Sequence, residues 1–233
     1  MSNPSFCFKQ FEVFHDGCAM KVGTDGVLLG AWVNPGNAGR ILDVGSGSGL
    51  IALIMAQRSE AQVHGVEFDH EAFKQALDNA QSSPWTDRIH FFEADFNHYS
   101  NGLYDLIVSN PPFFRESLKA PGKERNQARH TDTLSYDALI QKTAELLSAE
   151  GRFAVILPAT SSDYFDDLCW QSKLYLSRRC EVVSVEGLTP KRTLLEFSRT
   201  RTQIERTSLV LETSDHKRSD DFSALTADLY LDK

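Results

Sequence analysis

Short apolar runs alternate with longer stretches of helical periodicity from residue 40 onward. The apolar runs predict strands at 41–44, 63–67, 89–92, 104–108 and 152–157. The stretches between them have apolar residues at helical spacing, and they predict helices at 50–58, 70–81, 135–147 and 161–170. Strands that alternate with helices indicate βαβ units, so the pattern predicts an α/β fold with a doubly wound, mainly parallel sheet.

The two ends of the chain follow a different pattern. Residues 174–185 and 194–199 predict an antiparallel C-terminal strand pair, which brings the expected sheet to seven strands, and 208–212 is a further candidate strand. Before residue 40, weak alternation predicts a strand over 6–13, and the run 27–32 predicts a short helix. We therefore expect an N-terminal extension over 1–39 and a single globular domain over 40–233. The stretch 113–133 lacks periodicity and is too long for a simple connection, so we expect a functional loop there.

Composition excludes several classes of protein. The 233 residues are 41% hydrophobic, and no apolar run approaches the ~18 residues that a membrane helix needs. The N-terminus has neither the basic start nor the apolar core of a signal peptide, so we expect a soluble, cytoplasmic protein. The four cysteines form no C-x-x-C pair and no close Cys/His grouping, so we expect no metal site.

The net charge of −8 argues against a polyanionic partner, because phosphate contacts need Lys and Arg. The charge is uneven along the chain, however. Residues 171–206 hold eight Lys and Arg against four Asp and Glu, and 111–133 hold five against three. These tracts are either ordinary solvated faces or local basic footprints on an acidic body.

Glycines and acids at strand ends carry the first chemical signal. Three glycines at alternate positions after the first domain strand allow a sharp turn and the close approach of a ligand; they are Gly45, Gly47 and Gly49. Their spacing differs from the G-x-G-x-x-G of dinucleotide-binding proteins. Asp43 lies in that first strand, Glu67 ends the second, where a carboxylate can accept both ribose hydroxyls, and Asp95 follows the third. Three acids on one edge of the sheet favour an adenosine-containing cofactor.

This order of motifs resembles that of the class I S-adenosylmethionine-dependent methyltransferases. The resemblance covers roughly residues 40–157 and implies a seven-stranded, Rossmann-like methyltransferase sheet. It implies that Asp43 and the loop 45–49 hold the methionine part of S-adenosylmethionine. It further implies that Glu67 binds the ribose and that Asp95 and Phe96 bind the adenine.

The sequence Asn110-Pro111-Pro112-Phe113 directly follows the fourth domain strand. Two consecutive prolines fix φ at about −65° and remove two N–H groups, which leaves carbonyl oxygens at a rigid corner. The amide of Asn110 and the carbonyl of Pro111 offer two acceptors for an NH₂ group, whose lone pair they would direct at a sulfonium methyl. Phe113 offers a face on which a flat substrate can stack. The tetrapeptide resembles the signature of methyltransferases acting on planar exocyclic or amide nitrogens, and its final Phe is typical of adenine-N6 enzymes.

The run 21–32, KVGTDGVLLGAW, resembles the opening motif of the bacterial tRNA1(Val) adenine-N6 methyltransferase family, which modifies adenine 37 beside the anticodon. With this family the resemblance extends at least over residues 8–197. It implies a tRNA substrate, no membrane association and no obligate protein partner. It also implies weaker cofactor contacts from Lys21, Thr24 and Asp25, although the last two equally fit a helix N-cap with a first-turn acid. The residues expected to contact RNA are Lys119, Lys123, Arg125, Arg129, Lys191 and Arg192.

Three alternatives stand beside this interpretation. The same fold and cofactor can serve guanine N2 of rRNA or a protein glutamine, and Phe113 with the run 21–32 argues against that. An oxidoreductase using a nicotinamide dinucleotide would need the fingerprint spacing that this loop lacks. A non-catalytic RNA-binding module can keep the fold without the reaction, and against it stand the intact Asp43, Glu67, Asp95 and Asn110.

Overall fold

A computed structural model describes residues 4–18, 21–111 and 134–231 of the chain. The strands are β1 Ser5–Cys7, β2 Glu12–Phe14, β3 Arg40–Val44, β4 Gln62–Glu67, β5 Ile89–Glu93, β6 Tyr104–Ser109, β7 Leu147–Pro158, β8 Tyr175–Val185, β9 Arg192–Ser198 and β10 Glu205–Glu212. The helices are α1 Thr24–Trp32, α2 Leu50–Gln57, α3 His70–Gln81, α4 Tyr136–Leu146, α5 Ser162–Gln171 and α6 Asp220–Leu225.

One large sheet organises the described residues, with the strand order β10-β8-β9-β7-β6-β3-β4-β5. All neighbouring pairs are parallel except those made by β9, which runs antiparallel to both β7 and β8. The chain moves outward from β3 to β4 and β5, then returns to place β6 on the other side of β3. This reversal creates a switch point between β3 and β6, where ligands bind in open α/β sheets. The predicted α/β, mainly parallel fold is confirmed.

The sheet has eight strands, so the expected number of seven was wrong by one. The additional strand is β10, which confirms the further candidate strand 208–212 and pairs in parallel with β8 along the register from Glu205 opposite Arg178 to Glu212 opposite Val185. Its first four residues are polar or charged and exposed. They therefore lack the apolar run from which a buried strand is predicted, and pairing with the long β8 decides their conformation.

Several element boundaries also differ from the sequence-based expectation. The N-terminal alternation forms a hairpin of two short strands, β1 and β2, instead of one strand. Helix α4 ends at Leu146, and β7 begins at Leu147, five residues before the predicted start. Gly151 allows this early start, because a Cβ at that position would lie 2.8 Å from the Leu147 side chain and 2.9 Å from the Tyr104 carbonyl.

Two hydrophobic clusters cover the two faces of the sheet. One contains α1, α2, and parts of α3 and α6, packed on residues such as Ile41. The other contains α4 and α5, packed on residues such as Leu42. Neighbouring residues of one strand thus serve opposite faces, as a sheet covered on both sides requires. Among the residues described, no helix is long and apolar enough to cross a membrane.

Helix α1 belongs to this common core and packs closely against α2. Gly26 and Gly30 lie one turn apart in α1, and a Cβ at either would come within 2.9 Å of the side chains of Leu50 and Ile54, respectively. These two glycines therefore let the two helices approach each other. The N-terminal hairpin is joined to the C-terminal end of the chain, where the Lys9 N–H donates to the Leu229 carbonyl at 2.8 Å.

Candidate active site

The loop after β3 occupies the carboxyl edge of the sheet, which we define as the edge where β3, β4, β5, β6 and β7 end. Its three glycines all have positive φ, at 70° for Gly45, 53° for Gly47 and 82° for Gly49. Among the described residues, a Cβ on Gly45 or Gly47 would meet no atom within 4 Å, whereas one on Gly49 would lie 2.8 Å from the Phe91 ring. The first two glycines therefore face open space in which a ligand can approach the backbone, and the third packs against β5.

Asp43 lies beneath this loop and is fully buried, with 0% of its surface exposed. Its Oδ2 accepts a hydrogen bond of 3.1 Å from the N–H of Ala52 in α2, and its Oδ1 has no partner among the described residues. Burial raises the pKa of Asp43 to about 7; the Ala52 N–H opposes this shift and the charge of Glu67 adds to it. A buried carboxylate with one unsatisfied oxygen fits a cationic or hydrogen-bond-donating ligand.

Glu67 fastens the glycine loop to the end of β4. Its Oε2 accepts a hydrogen bond of 2.8 Å from the Gly47 N–H, and its Oε1 accepts bonds of 2.9 Å from the N–H groups of Phe68 and Asp69. Each carboxylate oxygen has two lone pairs, so Oε2 retains one for a ribose hydroxyl, whereas both lone pairs of Oε1 are engaged by backbone N–H groups. The expected position of Glu67 beside the loop is thus observed.

Phe68 is a residue of this edge that the sequence interpretation missed. Its side chain is 63% exposed although it directly follows the buried strand β4 and the anchored Glu67. An aromatic ring exposed to water at the end of β4 offers a stacking face. The signal available in the sequence was an aromatic residue immediately after a strand-end acid.

Asp95 and Phe96 follow β5 and have different environments. Asp95 caps the short turn Phe96–His98, with its side chain accepting a 2.9 Å bond from the Asn97 N–H, and remains partly exposed. Phe96 is only 5% exposed, and its ring packs in the hydrophobic cluster that contains Val44 and Val66. Asp95 is therefore placed to face a ligand at this edge, whereas the Phe96 ring serves the core.

Asn110 and Pro111 follow β6, the strand next to β3. The Ser109 hydroxyl donates a 2.9 Å hydrogen bond to the Val44 carbonyl, which ties the end of β6 to the end of β3. The Oδ1 of Asn110 is buried and has no hydrogen-bond partner among the described residues, and Pro111 is buried. An unpartnered amide oxygen beside an open glycine loop is an acceptor available to an incoming N–H donor. Pro112 and Phe113, the other predicted catalytic residues, lie outside the described residues.

The unsatisfied oxygens of this edge include a third, Ser46 Oγ, which is buried in the glycine loop. Asp43 Oδ1, Ser46 Oγ and Asn110 Oδ1 therefore lie on two adjacent strand ends and the loop between strand and helix. Buried polar atoms of this kind can take a hydrogen bond from a ligand, an ion or ordered water, and here three of them lie at one edge.

The residues of the run 21–32 that were predicted to contact the cofactor lie at or just before the start of α1. Gly23 is the N-cap and makes no side-chain cap, so Thr24 is the first helical residue and the N-cap interpretation of Thr24 was wrong. Asp25 forms an ion pair with Arg192, with 2.9 Å between Oδ2 and Nε. A residue predicted to contact cofactor and one predicted to contact RNA thus contact each other. Lys21 is exposed just before the helix.

Three arginines of the basic tract 171–206 are engaged by contacts within the protein. Arg178 lies between Glu196 and Glu205, at 3.6 and 3.5 Å. Arg179 pairs with Asp163 and Glu181. Arg199 donates to backbone carbonyls at the end of α4 and the start of β7.

The predicted RNA contacts that can be placed are therefore few. Lys191 is exposed in the turn between β8 and β9, at the carboxyl edge, and Arg192 begins β9. The remaining predicted RNA contacts lie outside the described residues; they are Lys119, Lys123, Arg125 and Arg129. Within 4–18, 21–111 and 134–231, no group of three or more His, Cys, Asp or Glu side chains could hold a metal ion.

Comparisons with known proteins agree with the geometry of this edge. The methyltransferase small domain family matches residues 18–164. A Bacteroides fragilis protein named tRNA1(Val) (adenine(37)-N6)-methyltransferase is 48% identical over 99% of both chains. A protein of the same name from Dickeya chrysanthemi is 45% identical over 97% of this chain and 94% of its own length.

Solved structures share the fold at low sequence identity. A protein named as a predicted O-methyltransferase from Agrobacterium tumefaciens has a TM-score of 0.70 and 19% identity, covering 88% of this chain and 96% of its own. The ribosomal protein L11 methylase of Lactobacillus delbrueckii has a TM-score of 0.57 and 16% identity, covering 80% and 83%. These similarities support the fold, whereas the more closely related sequences carry the information about the substrate.

Proposed function

This chain belongs to the family of tRNA1(Val) (adenine(37)-N6)-methyltransferases, and we propose that it methylates N6 of adenine 37 in tRNA1(Val), with S-adenosylmethionine as methyl donor. The single observation that carries the chemistry is the buried, unpartnered Oδ1 of Asn110 beside the open glycine loop. An amide oxygen in that position can accept a hydrogen bond from an exocyclic amino group.

The residues of the carboxyl edge fit S-adenosylmethionine. The open face of Gly45 and Gly47 leaves room for its methionine part, and Asp43 Oδ1 provides an acceptor there. Glu67 would bind a ribose hydroxyl with the lone pair of Oε2 that the Gly47 N–H does not use. Asp95 would accept from the adenine amino group, and Phe68 would stack on the ring. When bound, the cofactor supplies a methyl group on a positively charged sulfur.

Catalysis rests on the position of Asn110 and Pro111. We propose that Asn110 Oδ1 and the Pro111 carbonyl oxygen accept the two N6–H bonds of the target adenine and hold the nitrogen lone pair toward the methyl group. Orientation of two reactants can contribute about 7–11 kcal/mol to lowering a barrier. No strong base is required, because the nitrogen becomes acidic once it carries the methyl group and its proton leaves to water. We also assign Pro112 and Phe113 to catalysis, with the Phe113 ring stacking on the target adenine.

The RNA contacts are proposed for the same edge. The target adenine lies in a loop of the tRNA, so unstacking it costs only a few kcal/mol. Lys191 is exposed at the carboxyl edge, where β9 begins beside the end of β7, and we assign it a phosphate contact, together with the basic residues of the segment that follows Phe113. The segment before residue 40 would cover the cofactor, since α1 packs on α2, the helix that starts at the glycine loop.

Methyl transfer with three separate substrates tests this proposal. Purified protein with isotope-labelled S-adenosylmethionine is offered tRNA1(Val), ribosomal RNA or a release factor, and digests are analysed by mass spectrometry. We expect label in N6-methyladenosine of the tRNA alone. Label in N2-methylguanosine or in a glutamine side chain would replace the proposed substrate. Calorimetric binding of a nicotinamide dinucleotide, with none of S-adenosylmethionine, would contradict the proposed cofactor.

A further inference from the structure

Asn79 is a buried polar residue of α3 that neither the sequence interpretation nor the proposed reaction uses. It is 1% exposed, and its side-chain amide makes three hydrogen bonds to the backbone of two distant segments. Its Oδ1 accepts from the Phe14 N–H at 2.9 Å, and its Nδ2 donates to the carbonyls of Phe14 and Ser48, both at 2.8 Å. Both amide hydrogens and the amide oxygen are thus committed.

One of these bonds fixes the glycine loop. The Ser48 carbonyl lies between Gly47 and Gly49, two glycines whose backbones can rotate more freely than those of other residues. Asn79 holds this peptide from the side of α3, while Glu67 holds the Gly47 N–H from the end of β4. The orientation of the loop toward the open space therefore depends on two side chains on separate elements.

The other two bonds fix the N-terminal segment, by which we mean the described residues before residue 40. Phe14 ends β2, and the Gly17 N–H, three residues later, donates at 3.2 Å to Gln75, which precedes Asn79 by one turn of α3. Asp25 at the start of α1 is held by Arg192. Because α1 packs on α2 while Asn79 reaches the start of α2 from α3, the chain is anchored on both sides of the helix that begins at the glycine loop.

We propose that Asn79 is a positioning residue for the cofactor, because it couples the glycine loop to the N-terminal segment. The Asn79 amide binds both Ser48 and Phe14. It therefore fixes the position of the glycine loop relative to the N-terminal segment, which is proposed to cover the cofactor. The inference rests on the proposed function for the identity of the ligand. The coupling itself is a property of this chain and can be measured without ligand.

The test compares two variants at Asn79 with a matched control at the opposite edge of the sheet. Asn79→Ala loses all three bonds, and Asn79→Asp keeps the acceptor for the Phe14 N–H but loses both donors. Asp105→Ala is the control, because Asp105 accepts from the N–H groups of Gly39 and Arg40 and from the Ser148 hydroxyl, also three bonds between distant segments. Binding of S-adenosylmethionine is measured by calorimetry and kcat at saturating cofactor by methyl transfer.

We expect both Asn79 variants to weaken cofactor binding at least tenfold and to change kcat at saturating cofactor less than twofold. Asp105→Ala should lower Tm by a similar amount and change the cofactor Kd less than twofold. A lowered Tm with unchanged cofactor Kd in both Asn79 variants would reduce Asn79 to a structural residue and overturn the inference. If Asn79→Ala does not fold, the cofactor Kd of Asn79→Asp alone tests the inference.

Hydrogen exchange without cofactor separates this inference from the proposed function. In Asn79→Asp the amides of Gly47 and Gly49 should exchange faster together with those of residues 14–17, while the Arg40 amide at the opposite edge keeps its wild-type rate. Faster exchange confined to one of the two segments would contradict the coupling. Failure of the wild-type protein to bind S-adenosylmethionine would instead overturn the proposed function and leave this exchange result standing.

Discussion

The backbone N–H of Gly47 donates a 2.8 Å hydrogen bond to Oε2 of Glu67, twenty residues further along the chain. The same carboxylate accepts from the N–H groups of Phe68 and Asp69. Glu67 therefore orders the glycine loop and the start of the next connection before any ligand arrives. Its proposed contact with the ribose is added to an acid that is already held in place.

Glu67→Gln should weaken cofactor binding about ten- to a hundredfold, since hydrogen bonds to a charged group contribute about 1.5–3 kcal/mol. The amide retains one oxygen, but its NH₂ group cannot accept from Gly47. Calorimetry with S-adenosylmethionine measures the change. Glu93→Gln is the matched control, because Glu93 ends β5 in register with Glu67 and contacts His70 instead of the loop. Equal effects of both substitutions would contradict the assigned role.

Gly47→Ala should fold and yet bind S-adenosylmethionine at least tenfold more weakly. The new Cβ meets no atom within 4 Å in the part of the chain that the structure describes, so it enters the space assigned to the cofactor. Gly187→Ala provides the control for backbone strain, because Gly187 also has positive φ and open surroundings but lies in the turn between β8 and β9. Both variants should lose about 1–2 kcal/mol of stability, measured by urea denaturation. Normal cofactor affinity in Gly47→Ala would show that the cofactor does not occupy the open space beside Gly47.

Asp43→Asn should flatten the pH dependence of stability. The native pKa of Asp43 is about 7, above the ordinary 3.8, so between these pH values the folded protein binds more protons than the unfolded chain. The free energy of unfolding of the wild type therefore falls as pH rises through this window. The variant should be the more stable protein at pH 8, because raising a pKa by one pH unit corresponds to about 1.4 kcal/mol. Near pH 4 the two proteins should be closer in stability. Parallel urea-denaturation profiles for the two proteins would be inconsistent with a buried carboxylate of raised pKa.

Asn110→Ala should lower kcat at least about a hundredfold, the loss that a misplacement of about 1 Å can cause. Cofactor affinity should stay near the wild-type value, because Asn110 is assigned to the target adenine. Single-turnover methylation and calorimetry separate the two quantities. Asn97→Ala serves as control, since Asn97 is an exposed asparagine of the same edge. An unaffected rate in Asn110→Ala would remove the central catalytic assignment.

Lys191→Ala should weaken tRNA binding and reduce the slope of log K against log salt by about 0.7–1, the contribution of one phosphate contact. Arg179→Ala should instead lower stability and leave the salt slope unchanged, because Arg179 is paired with Asp163 and Glu181. Binding isotherms at several salt concentrations measure both. A reduced salt slope for Arg179→Ala would indicate that the arginines of the tract 171–206 contact RNA.

Much of the candidate site could be predicted from local sequence. The glycine positions, the acids at strand ends and Asn110 all follow apolar runs long enough to predict buried strands, and parallel strands bring their carboxyl ends to one edge. The three glycines indeed have positive φ, the conformation that other residues rarely adopt. Asp43, Glu67 and Asn110 were therefore placed on a common edge by periodicity and chain direction alone.

Partners distant along the chain were beyond the reach of such patterns. The basic tract 171–206 has the composition of an RNA surface, but ion pairs and backbone carbonyls engage Arg178, Arg179 and Arg199. Asn79 resembles any polar residue of an amphipathic helix, and only its contacts with Phe14 and Ser48 distinguish it. Strand β10 has an exposed, polar first half and gains its conformation from β8.

The sequence by itself thus determined the α/β class, the order of most elements and which side chains lie at the carboxyl edge, because these depend on periodicity and on residues close together in the chain. Tertiary structure alone decided which charges remain exposed, where the polar first half of β10 pairs, and which side chain joins the glycine loop to the N-terminal segment. Those outcomes depend on hydrogen bonds and ion pairs between separate elements of the chain, which join residues up to 167 positions apart, as for Arg192 with Asp25. Such separations leave no local periodicity from which to predict them.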